Sequence, residues 1–179
     1  SSDLEANSAA LNLYKGFGRI LNRYDLPRGF SGSYNTTQFD FYKFIGHELF
    51  VSLFSLLLRN NRWDICVDLL DEEIYISNQT TQGLVPFTAV SEYVRLLNET
   101  RNRRLGLNRV SVEADILKHR HSHGELGSIV PFRDFMDAEL FLFFVLVRTL
   151  HYLPDIFSVV DRVSCFEVPS IFSDRKSVV

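Results

Sequence analysis

Residues 39–63 read FDFYKFIGHELFVSLFSLLLRNNRW. Phe39, Phe41, Phe44, Ile45, Leu49, Phe50, Leu53, Phe54, Leu56, Leu57 and Leu58 put apolar groups around most of a helical cylinder from about Gln38 to Arg59. A helix that is apolar on nearly every side belongs at the centre of a bundle. Asn60-Asn61 interrupts it, and Trp63, Ile65, Cys66, Leu69 and Leu70 begin a short helix that closes at Asp71-Glu72-Glu73, so the pair reads as a helical hairpin. The densest run, LFVSLFSLLL at 49–58, and its counterpart LFLFFVLV at 140–147 both fall short of the roughly 20 residues that cross a bilayer. Both are therefore expected to be buried helices in a chain without a membrane partner.

Upstream, Leu4, Leu11, Tyr14, Phe17, Ile20, Leu21 and Tyr24 form a helical stripe that Asp25-Leu26-Pro27-Arg28-Gly29 ends. A loop rich in Gly, Ser, Asn and Thr leads from there to Thr37. Downstream, residues 74–87 open with Ile74-Tyr75-Ile76 and read as a strand fragment or an irregular loop. Helical spacing resumes at Thr88 with Val90, Tyr93, Val94 and Leu97, and Gly106 stops it. A further helix covers about Ser111 to His121, Gly124 and Gly127 mark a break, and Pro131 sits in the first turn of a long helix reaching about Leu150. Residues 155–179 fit either a short helix with a strand or an extended C-terminal strap. The expected architecture is all-α: one domain over 1–179, an irregular bundle of five to seven helices with at most a short strand. Its expected core is Phe44, Phe50, Leu53, Leu57, Trp63, Leu69, Leu140, Phe143 and Leu146.

Of 179 residues, 46% are hydrophobic and 23% charged, with a net charge of −3, which excludes a disordered tail and a generally basic nucleic-acid coat. A chain this long buries about 70% of its unfolded surface and needs no disulfide or metal to hold a core. Cys66 and Cys165 are the only cysteines, and no leader with an apolar segment and a small-residue cleavage site opens the chain. Reduced thiols and a cytoplasmic location are expected, and the sequons at Asn35, Asn78 and Asn98 are permissive surface signals only.

His47-Glu48 begins like the zinc-protease motif H-E-x-x-H, but Val51 stands where the second histidine belongs. In so apolar a helix the two residues are expected either on a solvent stripe or in a buried polar contact with Arg19 or Lys43. Lys118-His119-Arg120-His121-Ser122-His123 is the one local cluster with chemical potential. On a helix His119 and His123 share a face whereas His121 points away, so metal binding by that pair needs a third ligand such as Glu113, Asp115 or Glu125. The bland alternative is a helix end where histidines complement exposed carbonyls. Arg120-x-x-His123 and Arg148-x-x-His151 lack the wider Arg-to-His spacing of helical-bundle ribonucleases of the HEPN type. No nucleophile elbow and no Gly-rich phosphate loop is present, and no cofactor is implied.

Charge is segregated instead. Arg95, Arg101, Arg103, Arg104, Arg109, Lys118 and Arg120 face only Glu99, Glu113 and Asp115 between residues 95 and 123, a local charge of +4 that leaves −7 for the remainder. Guanidinium forks suit phosphate and carboxylate, so Arg101, Arg103, Arg104, Arg109, Lys118 and Arg120 are the expected contacts of an anionic ligand, with His119 or His123 converging on them across Gly106.

LNRVSVEADILKHRHS at 107–122, followed by FRDFMDAELFLFFVLVR at 132–148 with its Asp137-Ala138-Glu139-Leu140 step, resembles helical accessory regions of bacterial proteins, some attached to TIR-type defence effectors. The resemblance covers about half the chain and implies the non-catalytic portion of a larger polypeptide. The reading that follows is a non-enzymatic interaction or ligand-sensing module, partnered by another protein or by other domains of its own chain. Two alternatives stand beside it: a nuclease or metal-dependent hydrolase built on His119, His121 and His123, and a structural domain that forms homo-oligomers.

Overall fold

The computed structural model describes residues 2–91 and 94–150. Helix α1 (Ser2–Leu21) buries Ala10, Tyr14, Phe17 and Leu21 at helical spacing, and the Tyr14 hydroxyl donates to the Glu72 carbonyl at 3.0 Å. It stops earlier than its stripe suggests, because Tyr24 turns away and its hydroxyl donates to the Val90 carbonyl at 2.9 Å. A 3-10 turn (Thr36–Phe39), capped by Asn35 accepting from the Thr37 amide, leads into α2 (Asp40–Arg59). Helix α2 packs against α1, against α3 (Trp63–Asp71) and against α7 (Phe132–Leu150), which makes it the central element that its apolarity predicts. Two glycines permit the closest approaches. A Cβ on Gly46 would drive into the Tyr24 hydroxyl, and one on Gly18 would stand 2.6 Å from the Tyr75 carbonyl.

Asn61, with φ 56°, makes the tight reversal into α3, a left-handed conformation that asparagine tolerates. Strands β1 (Ile74–Ser77) and β2 (Gln82–Val85) then pair antiparallel, Ile74 opposite Val85 and Ser77 opposite Gln82. The fold is thus mostly helical rather than all-α. Ile74 and Ile76 alternate with exposed Tyr75 and bury against α1, and this two-residue period selects a hairpin over the loop alternative.

Continuous helix does not resume at Thr88. Phe87–Val90 forms a 3-10 turn that buries Phe87 and Val90, and helical structure restarts only at a π-helical turn (Leu96–Arg101) that runs into α4 (Asn102–Leu105). The restart is pinned by tertiary contact, since the Asp40 carboxylate accepts from the Leu96 amide. Ser111 caps α5 (Val112–Ser122) through the Ala114 amide, and the expected break at Gly124 and Gly127 contains a short helix, α6 (Gly124–Ile129). Helix α7 runs back along α2: Arg59 lies 3.6 Å from Asp134 in the first turn of α7, and His47 meets Glu139 further along.

Phe44, Phe50 and Leu69 are buried as expected, but Leu53, Leu57, Phe143 and Leu146 are only half-buried, and Trp63 and Leu140 are 53% and 42% exposed. Helix α7 turns Phe135, Ala138 and Leu142 inward, so Leu140 and Phe144 face out. An unbroken apolar run carries no phase, and the packing partner chooses the inner face. The expectations for residues 155–179 and for Cys165 lie outside the described residues. Phe54, fully buried on α2 beside Phe50, is expected to dominate: Phe54→Ala should cost about 3–5 kcal/mol and Leu53→Ala clearly less, by urea denaturation.

Candidate functional site

Where α2, α5 and α7 meet, an almost continuous apolar core gives way to ionisable groups. Glu48, 3% exposed, accepts from Arg120 in a forked pair, Nε to Oε1 at 2.6 Å and Nη2 to Oε2 at 3.1 Å. His121, on the buried side of α5, has Nδ1 2.8 Å from the Val130 carbonyl and Nε2 3.4 Å from Glu48 Oε1, without a hydrogen bond at that second nitrogen. One residue before Glu48, His47 Nε2 meets Glu139 Oε2 at 3.1 Å. Asn98 closes the layer: its amide nitrogen donates to Glu113 Oε2 at 3.1 Å and its oxygen accepts from Ser111 and from the Glu113 amide. Arg19 and Lys43, the partners expected for His47-Glu48, are replaced by Glu139, Arg120 and His121, which sequence distance hides.

Burial alone would strip the proton from His47, but the charge and hydrogen bond of Glu139, with Glu113 and Glu48 nearby, raise it to about 9. Burial raises the Glu113 carboxyl against the opposing pull of His47 and Asn98. The imidazolium therefore neutralises an acid, and this layer holds charges in place instead of presenting them. Cys66 is similarly inert: burial, then the charge of Asp64, pushes its thiol up to about 11.

The three clustered histidines are not brought together. His119 and His123 stack on the exposed side at 5.0 Å, with His123 Nδ1 3.2 Å from the His119 carbonyl, while His121 lies in the core against Phe135. Among the described residues no group of three or more His, Cys, Asp or Glu is placed to hold a metal ion, so Glu113, Asp115 and Glu125 supply no third ligand. Nor do the basic residues form one site. Arg109 forks onto Asp115 at 2.6 and 2.8 Å, Arg120 holds Glu48, and Arg101, Arg103, Arg104 and Lys118 remain exposed. The Asn102 side chain binds both the amide and the carbonyl of Arg109, which fixes α4 beside the start of α5. His119 and His123 stand toward the other end of that helix, about 11 and 16 Å along it from Val112.

Two of the sequons are closed as well. Asn78 and Asn98 are buried, and the Asn78 side chain is engaged with the Thr81 amide. A separate cleft of about 310 Å³, between the end of α1, the 3-10 turn and the β-hairpin, is lined by Tyr24, Tyr34, Phe39 and Lys43. Its Asp25 carboxylate already accepts from Thr80. Residues 36–59 together are long and apolar enough to cross a membrane, which the 49–58 run by itself is not. No protein-family model, curated protein or solved structure matches this chain, so the likeness to defence-protein accessory regions rests on the quoted residues alone.

Two outcomes follow from the charged layer. Folded His47 binds its proton more tightly than the unfolded chain does, so its contribution is complete below about pH 6.5 and is lost as pH climbs through about 9, with raised Glu113 acting in the same sense. Unfolding free energies from urea titrations across that window should fall by on the order of 3 kcal/mol, and His47→Gln should flatten the slope. Arg120→Ala leaves Glu48 buried with only His121 beside it and should cost about 2–3 kcal/mol, of which Glu48→Gln in the same chain recovers part.

Proposed function

We propose that this chain is a non-enzymatic interaction module, a rigid helical frame that presents surfaces to other proteins or to other parts of its own polypeptide. One observation carries this reading: among the described residues the buried ionisable side chains are engaged with one another, while large apolar side chains stand outside. His47 meets Glu139 and Arg120 holds Glu48 between α2, α7 and α5, and Glu113 is held by Asn98 of the π-helical turn. Trp63, Val67, Leu105, Val110 and Phe144 are each more than half exposed. An active site needs a titratable group open to substrate with its conjugate partner in reach. The most exposed candidates, His119 and His123, have each other and a helix end, an arrangement suited to complementing carbonyls.

The competing reading, a nuclease or hydrolase using His119 and His123, makes a different demand on experiment. Incubated with labelled single-stranded RNA, with and without added zinc, manganese or magnesium, the purified chain should release no more product than buffer does. Cleavage that disappears in His119→Ala/His123→Ala overturns the proposal.

A further inference from the structure

Two of the exposed apolar patches carry opposite charge. On α3, Trp63, edge-on to Phe141 of α7, and Val67 are 53% and 56% exposed, and Asp64, Asp68 and Asp71 stand between and beside them. Asp64 also has Arg62 at 3.4 Å. On α4 and the loop after it, Leu105, Leu107 and Val110 are 51%, 40% and 70% exposed, beside Arg101, Arg103 and Arg104. Those three arginines form no ion pair among the described residues.

The two groups are fixed at opposite ends of α2. Asp40 in its first turn holds the Leu96 amide, from which the π-helical turn runs into α4, whereas α3 follows the last turn of α2 after the reversal at Asn61. The 20 residues of α2 put those two attachment points about 30 Å apart. Resting on the interaction reading above, we propose that the partner is a second copy of this chain, docked head to tail with the α3 face of one copy on the α4 face of the next.

Charge decides the polarity of the contact. A two-fold contact of α3 with α3 would set acids against acids, and one of α4 with α4 would set arginines against arginines. Pairing α3 of one copy with α4 of the next, head to tail, brings the aspartates to the arginines while the leucines and Val110 cover Trp63 and Val67. Such a contact leaves one unused face at each end, so it propagates until it closes into a ring or continues as a filament. Because the faces are small, single contacts belong to the weak class and the assembly grows with protein concentration.

Sedimentation velocity on the full 179-residue chain tests this. The wild type should sediment faster as its concentration rises, and raising salt from about 0.05 M to about 0.5 M should weaken the association roughly tenfold. Arg103→Asp/Arg104→Asp and Asp68→Arg/Asp71→Arg should each be monomeric where the wild type is not, with unchanged circular dichroism because all four positions are exposed. Mixed in equal amounts, the two variants should regain association, since each then offers the other a charge-matched face. A wild type that stays monomeric throughout overturns this contact, as does association that survives both reversals. So does a monomeric chain that binds a short oligonucleotide and loses that binding in Arg103→Asp/Arg104→Asp, an outcome that would assign the basic face to nucleic acid. None of these results bears on RNA cleavage, which alone overturns the broader reading.

Discussion

A carboxylate sits in the middle of the most apolar helix of the chain. Glu48 is surrounded on α2 by Phe44, Phe50, Val51 and Phe54, and a lone ionised carboxylate there would cost several kcal/mol. Arg120 supplies the countercharge with the fork geometry a carboxylate matches best, and His121 stands behind it. That pairing sets how α5 lies on α2. His121 in turn reaches the Val130 carbonyl, so the same contact locates the end of α6 and the point from which α7 starts back along α2. His47, one residue earlier and about a hundred degrees round the helix, repeats the arrangement toward α7 through Glu139. Adjacent residues of one helix thus address two different neighbours, which gives three helices a definite register that apolar packing leaves loose.

Pairs of this kind contribute less to stability than their geometry suggests, because desolvation offsets much of the attraction. Their effect is on specificity: a slipped α5 or α7 would strand a charge in the core. A bundle with a unique arrangement holds its surface groups at fixed separations, and that property matters to a module whose two apolar faces stand at opposite ends of one helix. The remote ends of α2 are themselves tied down, by the Asp40 carboxylate on the Leu96 amide and by Arg59 on the Ile129 carbonyl.

Much of the frame was legible because it is local. The helix over 38–59, the break at Asn60-Asn61, the helix starting near Ser111 and the stop at Gly106 all follow from periodicity and breakers within a few residues. The opposed directions of His119 and His121 were legible too, since alternate residues on a helix point apart, and the structure buries one while exposing the other. Sequence reasoning also placed His47-Glu48 in a buried polar contact as one of two options. It missed the partners, because nothing within the chain near residue 48 signals residues 120 and 139. The expected anion contacts are divided for the same reason: Arg109 turns to Asp115 and Arg120 to Glu48, which leaves Arg101, Arg103, Arg104 and Lys118 exposed.

By itself, then, the sequence determined that the chain is mainly helical, that residues 38–59 lie at its centre, and that its positive charge gathers between residues 95 and 123. These are properties of composition and short-range period, which no tertiary contact can undo. Tertiary structure alone decided which side of α7 is inside, which acid each base neutralises, and that residues 74–85 pair as strands where a loop was equally open. Each of those choices compares free energies between parts of the chain far apart in sequence. An all-apolar run has no preferred face until a neighbour covers one, and a buried charge has no partner until the fold brings it within reach.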